Sequence, residues 1–111
     1  MAIPLQISYR DTPHSQPLDD LIAREVIKLE RYYHRVAMCR VVIEHAYRRA
    51  GSPFHVSLVL SVPGEDIFVN REDAEAPELY KDAVVAVRCA FRKAKRRLQE
   101  YVRLRSAPIA R

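Results

Sequence analysis

The sequence predicts an α+β fold in the order β-α-β-β-β-α, a four-stranded sheet with two helices packed on one face. Two kinds of apolar repeat carry this expectation. Residues 5–9, 37–43 and 54–62 alternate apolar with more polar side chains, the period of a strand buried on one face. Residues 18–33 and the long stretch before residue 104 place apolar side chains three and four apart, the period of a helix with one buried side. A third observation sets the layering. Each element has a single apolar face, as expected when helices cover one side of a sheet and water covers the other.

The elements follow in order. Leu5, Ile7 and Tyr9 alternate with Gln6, Ser8 and Arg10 in the first strand, which Thr12, Pro13, His14 and Ser15 break. Ser15 then offers an N-cap, Pro17 lies in the first turn, and Asp19 and Asp20 complement the helix dipole. Leu18, Ile22, Val26, Leu29 and Tyr33 share one face of a helix expected to end near His34. Ala37, Cys39, Val41 and Ile43 alternate with Met38, Arg40, Val42 and Glu44 in the second strand. Phe54, Val56, Leu58, Leu60 and Val62 alternate with His55, Ser57, Val59 and Ser61 in the third. Arg48, Arg49, Ala50 and Gly51 between them fit a hairpin connection. Pro63, Gly64, Glu65 and Asp66 read as a turn, and Ile67, Phe68 and Val69 as a short fourth strand. Arg71 to Ala76 is acidic and irregular, and Pro77 and Glu78 mark the start of a helix running to about Leu104. Strands two to four should form an antiparallel meander. The first strand, followed by a helical crossover, is free to lie parallel to a neighbour.

At 111 residues the chain has the length of one domain, read as residues 1–105 with residues 106–111 as a flexible tail. Its apolar and charged fractions are those of a globular protein with a modest core. Cys39 and Cys89 are too few for a disulfide framework and lack metal-ligand spacing. No apolar run approaches a membrane span, and the N-terminus lacks the pattern of a secretory signal. A cytoplasmic protein with reduced thiols is expected.

Charge is the feature that points to a partner. Between Arg88 and Arg105 eight residues are basic and only Glu100 is acidic, a net of +7 where the whole chain carries +5. The positive charge is therefore local. Such a block repels itself unless it is well solvated or meets a polyanion, and nucleic acid is the commonest. By helical geometry Lys81, Arg88, Arg92, Lys95, Arg96 and Arg103 fall within an arc of about 100° on one flank of the last helix, with Lys93 and Arg97 on the other. Tyr80, Val84, Val87, Phe91, Ala94, Leu98 and Tyr101 form its apolar face. In the first helix Arg24, Lys28, Arg31 and Arg35 make one stripe opposite the buried side. A solvated face also accounts for that stripe, because Asp20, Glu25 and Glu30 accompany it. It accounts poorly for the last helix, where charges of opposite sign are nearly absent and arginine outnumbers lysine.

Other chemistry is weakly signalled. His14, His34, His45 and His55 have no ligand spacing and read as rim residues. Cys39 and Cys89 read as small packing residues. Tyr32 and Tyr33 read as part of the helix-to-sheet seam, with base stacking by Tyr32 as the functional alternative. Two glycines allow no glycine-rich phosphate loop. Nothing points to an enzyme, a metal or a cofactor.

Several segments together resemble the ribosome hibernation promoting factor and ribosome-associated inhibitor family. Lys28-Leu29-Glu30-Arg31-Tyr32-Tyr33 is similar to the family's KLxRF helix end, and Cys39-Arg40-Val41-Val42-Ile43-Glu44 to its xHVVLE strand. Residues 54–64, ending in Val62-Pro63-Gly64, resemble xxVxLxLxxPG. Residues 79–91, with Arg96-Arg97-Leu98-Gln99-Glu100-Tyr101 beyond, resemble a branch reading DVYxAIRDAFDAARRQLEDY. The resemblance implies a factor, not an enzyme, that binds the small ribosomal subunit at the decoding region. It implies contact with 16S rRNA through basic helix faces and inhibition of translation during stress or stationary phase. It places the RNA contacts at Arg24, Lys28, Arg31, Lys81, Arg88, Arg92, Lys93, Lys95, Arg96, Arg97 and Arg103. Two aspartates of the branch become Cys89 and Lys93, which makes this helix more basic. The sequence carries no C-terminal dimerisation domain like that of long family members, so a monomer is expected. Two other readings stay open: a general double-stranded RNA-binding module, whose usual order lacks the first strand, and a protein-interaction domain of the sigma-factor-modulating kind.

Overall fold

The computed structural model describes residues 3–45, 53–70 and 82–106. The elements are β1 (Leu5–Arg10), α1 (Gln16–Tyr32), β2 (Met38–His45), β3 (Phe54–Val62), β4 (Glu65–Val69) and α2 (Ala83–Ser106). This is the expected β-α-β-β-β-α order. The hairpin connection at Arg48–Gly51, the acidic stretch from Arg71, the helix start at Pro77 and Glu78, Tyr80, Lys81 and the tail beyond Ser106 lie outside the described residues.

The sheet has the order β1-β2-β3-β4, with β1 parallel to β2 and the other pairs antiparallel. Its register puts one side chain from each strand in line. Ile7 faces Val41, Val41 faces Leu58, and Leu58 faces Val69. These are the alternating apolar positions, so the pleat delivers all of them to one side. The other face carries Gln6, Arg40, Val59 and Phe68 in a neighbouring row. On the inner side β2 and β3 are closed, while β1, at the sheet edge, is only half-buried at Leu5, Ile7 and Tyr9.

Local signals set the helix ends. The Ser15 hydroxyl accepts from the Leu18 amide, and Pro17 occupies the first turn of α1. The helix stops at Tyr33, whose extended backbone still returns its amide to the Leu29 carbonyl. At the start of α2 the Asp82 carboxylate accepts from the Val84 amide at 2.8 Å, and its carbonyl accepts from the Ala86 amide. Gly64, at φ +88°, makes the β3–β4 turn, where a side chain would be strained.

α2 lies across β3 and β4 with α1 beside it. Phe91, Ile22, Ile43, Leu58, Leu60 and Leu98 are the largest fully buried side chains. Two expectations about the seam need correction. Val84 is 37% exposed, and the buried face of α2 is instead shared by Ala86 and Ala90, small residues that let the helix approach closely. Tyr33 does pack in the seam, edge-on to Tyr101 with ring centres 5.7 Å apart, but Tyr32 stands 41% exposed outside it. The far end of α2 is fastened to the β3–β4 turn: the Tyr101 hydroxyl donates to the Pro63 carbonyl, and the Arg105 guanidinium lies 5.3 Å from the Tyr101 ring centre.

Candidate nucleic-acid interface

The packing of α1 against α2 brings the two basic stripes together. Lys28 from α1 and Arg88, Arg92 and Lys95 from α2 line a groove of about 400 Å³ between the helices. Leu29 and Phe91, each 2% exposed, form its floor. Among the described residues Glu25 is its one acid, and it accepts from Lys28 at 3.2 Å. Arg88 and Lys95 have no acidic partner among the described residues, and Arg92 makes only a long contact of 3.9 Å with the Cys89 sulfur. Unpaired guanidinium and ammonium groups over an apolar floor present a strong positive potential, because the low-dielectric floor does not screen them.

The remaining candidates divide by place. Arg92, Arg96 and Arg103 form the outer ridge of α2, directly opposite its buried face. Arg103 is held by Glu100 one turn back, an exposed pair of the kind that contributes about 0–1 kcal/mol. Arg24 and Arg31 stand exposed on α1, above and below Lys28. Lys93 and Arg97 are apart from all of these. Arg97 turns to the sheet edge and donates to the Phe68 carbonyl of β4, an outward-facing acceptor that no strand satisfies. Its sequence neighbours gave no sign of that use. Arg97 instead shares a cleft of about 510 Å³ with Phe68, Glu65, Glu100 and Leu104, where charges are mixed.

Among the described residues no group of three or more His, Cys, Asp or Glu side chains could hold an ion. His45 stacks on Phe54 at 4.5 Å, while Glu44 is the residue opposite His55, so the two histidines point to different faces. One cluster has no signal in the sequence. Tyr9 donates to Asp19 at 2.8 Å and to the Ser15 carbonyl, and His14 packs edge-on against Tyr9 while bonding the other Asp19 oxygen. Burial and then the bond to Asp19 push the Tyr9 phenol up to about 12. The cluster fastens β1 to the first turn of α1. Burial alone pushes the Cys39 thiol up to about 12, as suits an inert packing residue. Among the described residues no helix is long and apolar enough to cross a membrane.

Comparison with known proteins agrees with this architecture. The N-terminal domain of Protein Y from Thermus thermophilus superposes with a TM-score of 0.67 at 17% identity, over 91% of this chain and 99% of that one. A ribosomal subunit interface protein from Coxiella burnetii superposes with a TM-score of 0.72 at 15% identity, over 89% and 97%. At these identities the likeness concerns the fold. No curated protein sequence matches significantly. A family model described as Sigma 54 modulation protein / S30EA ribosomal protein matches residues 5–105, from the first residue of β1 into the last turn of α2. The chain therefore belongs to the sigma 54 modulation and S30EA ribosomal protein family, the ribosome hibernation type that its motifs resemble.

Proposed function

We propose that this protein is a ribosome-associated factor that binds the small subunit, contacts 16S rRNA in the decoding region and inhibits translation during stress or stationary phase. The observation that carries the reading is the groove in which Lys28 meets Arg88, Arg92 and Lys95, opening onto the ridge of Arg96 and Arg103. Two helices hold these cations at fixed spacing on one continuous face. Arginine forks suit phosphate oxygens, whose bidentate contacts fix a protein on a nucleic-acid backbone. Arg24 and Arg31 extend the same face along α1. Lys81 and Lys93 complete the proposed set, and Arg97 contributes only if it leaves the Phe68 carbonyl. Family membership supports the ribosome as the partner, and the titles of the two structural neighbours, Protein Y and a ribosomal subunit interface protein, point the same way. The parallel pairing of β1 with β2 disfavours a general double-stranded RNA module, whose sheet lacks that strand.

The test is a titration of purified small subunits at several salt concentrations. Five phosphate contacts give a log–log slope of about −3.5 to −4.5 through counterion release. A slope near zero contradicts nucleic-acid binding by this face.

A further inference from the structure

We propose that the groove between α1 and α2 is also a binding site for a small free polyphosphate, either an inorganic chain or the phosphate tail of a nucleotide. The site is argued from the isolated protein and stands whether or not the larger partner is the ribosome. Its volume of about 400 Å³ lies within the range of small-ligand sites. Among the described residues four cations and one carboxylate line it, a lining short of negative charge. A lone phosphate group, at about −1.5 to −2, leaves that lining positive, whereas a chain of two or three neutralises it.

The arrangement of the cations selects a chain as well. Arg88, Arg92 and Lys95 are spaced i, i+4 and i+7, which spreads them over about 10 Å of helix at 1.5 Å per residue. Lys28 faces them from α1 across the groove. A single phosphate reaches one or two of these groups, and an extended anion lying along the groove reaches all four. The floor of Leu29 and Phe91 is closed, so each contact is made with one side already dry. Glu25 is the opposing group. It holds Lys28 at 3.2 Å, and binding requires Lys28 to exchange that carboxylate for a phosphate oxygen.

Calorimetric titration of the protein alone, in magnesium-free buffer, with tripolyphosphate, ATP and orthophosphate tests this. Tripolyphosphate and ATP should bind with one site per chain, and orthophosphate at least about tenfold more weakly, since it forgoes at least one charge-assisted bond. Arg88→Ala/Lys95→Ala should weaken tripolyphosphate by about tenfold or more on the same scale. Glu25→Gln should tighten it by roughly two- to fivefold, the worth of an exposed ion pair. Arg10→Ala/Arg40→Ala removes the same charge from the open sheet face and should leave binding unchanged. Equal affinity for ATP and tripolyphosphate assigns the site to the phosphate chain; tighter ATP assigns it to the nucleotide. Several weak sites per chain, or equal losses from the two charge-matched double variants, overturn the proposal and leave only diffuse attraction to a basic surface.

Discussion

Leu58 sits at the centre of the sheet, 1% exposed, between Val41 of β2 and Val69 of β4 and beneath α2. Leu58→Asp removes an apolar burial of about 1.5–3 kcal/mol. It also places a carboxyl group among the apolar side chains of the core, at a further cost of several kcal/mol whether the group ionises or is forced neutral. The two losses together approach the whole stability of a typical domain, about 5–15 kcal/mol. We expect no cooperative urea transition by circular dichroism. Leu58→Ala supplies the graded comparison: a loss of about 2–5 kcal/mol moves the urea midpoint down by on the order of 2 M while the protein stays folded. Ser57→Asp, one residue away on the open face, should cost no more than about 1 kcal/mol. A stable Leu58→Asp variant or a collapsed Ser57→Asp variant would mean that β3 is displaced by one residue, since such a slip exchanges the two faces.

The other expectations concern single groups. At about pH 8 a thiol reagent should modify Cys89 and spare Cys39 until denaturant is added, because Cys39 is fully buried with its thiol raised to about 12; two fast-reacting thiols in the folded protein contradict the packing of β2. Tyr9 must stay protonated to donate to Asp19 and Ser15, so its contribution is complete below the ordinary phenol value near 10 and is lost as pH rises through about 12. Urea midpoints should fall between those pH values, and Tyr9→Phe should shallow the fall; an identical decline in both proteins removes Tyr9 from that role.

Much of the fold was legible because its signals are local. The strict alternation of Phe54 to Val62 fixes the face of β3, and Ser15 with Pro17 fixes the start of α1, without reference to anything distant. Local signals fall short where a neighbouring element decides. Helical spacing alone centred the buried arc of α2 toward Val84, but the positions of the sheet and α1 rotate it toward Ala86 and Ala90. Alanines give almost no hydrophobic signal in a sequence, although close helix-to-sheet contact needs them. The same reason limits the site. Exposure of Lys28, Arg88, Arg92 and Lys95 followed from periodicity, whereas their convergence in one groove depends on which helix flanks meet. Arg97 looked like one more free cation, since nothing in its own segment reveals that its flank borders β4. The Tyr9–Asp19–His14 cluster likewise joins residues whose proximity only the turn after β1 creates.

The proposed function makes the basic face of α2, not the fold alone, the surface that binds the small ribosomal subunit. Arg88, Arg92 and Arg96 are exposed, and none of them is paired with an acid among the described residues. Changing all three to Glu replaces three positive charges with three negative ones while leaving the buried face of Val87, Phe91 and Leu98 intact. Sedimentation of this variant with purified small subunits at physiological salt is the most direct measurement. We expect a protein with native circular dichroism that stays in the supernatant, where the unaltered protein pellets with the subunits. A folded variant that still pellets with them would contradict it.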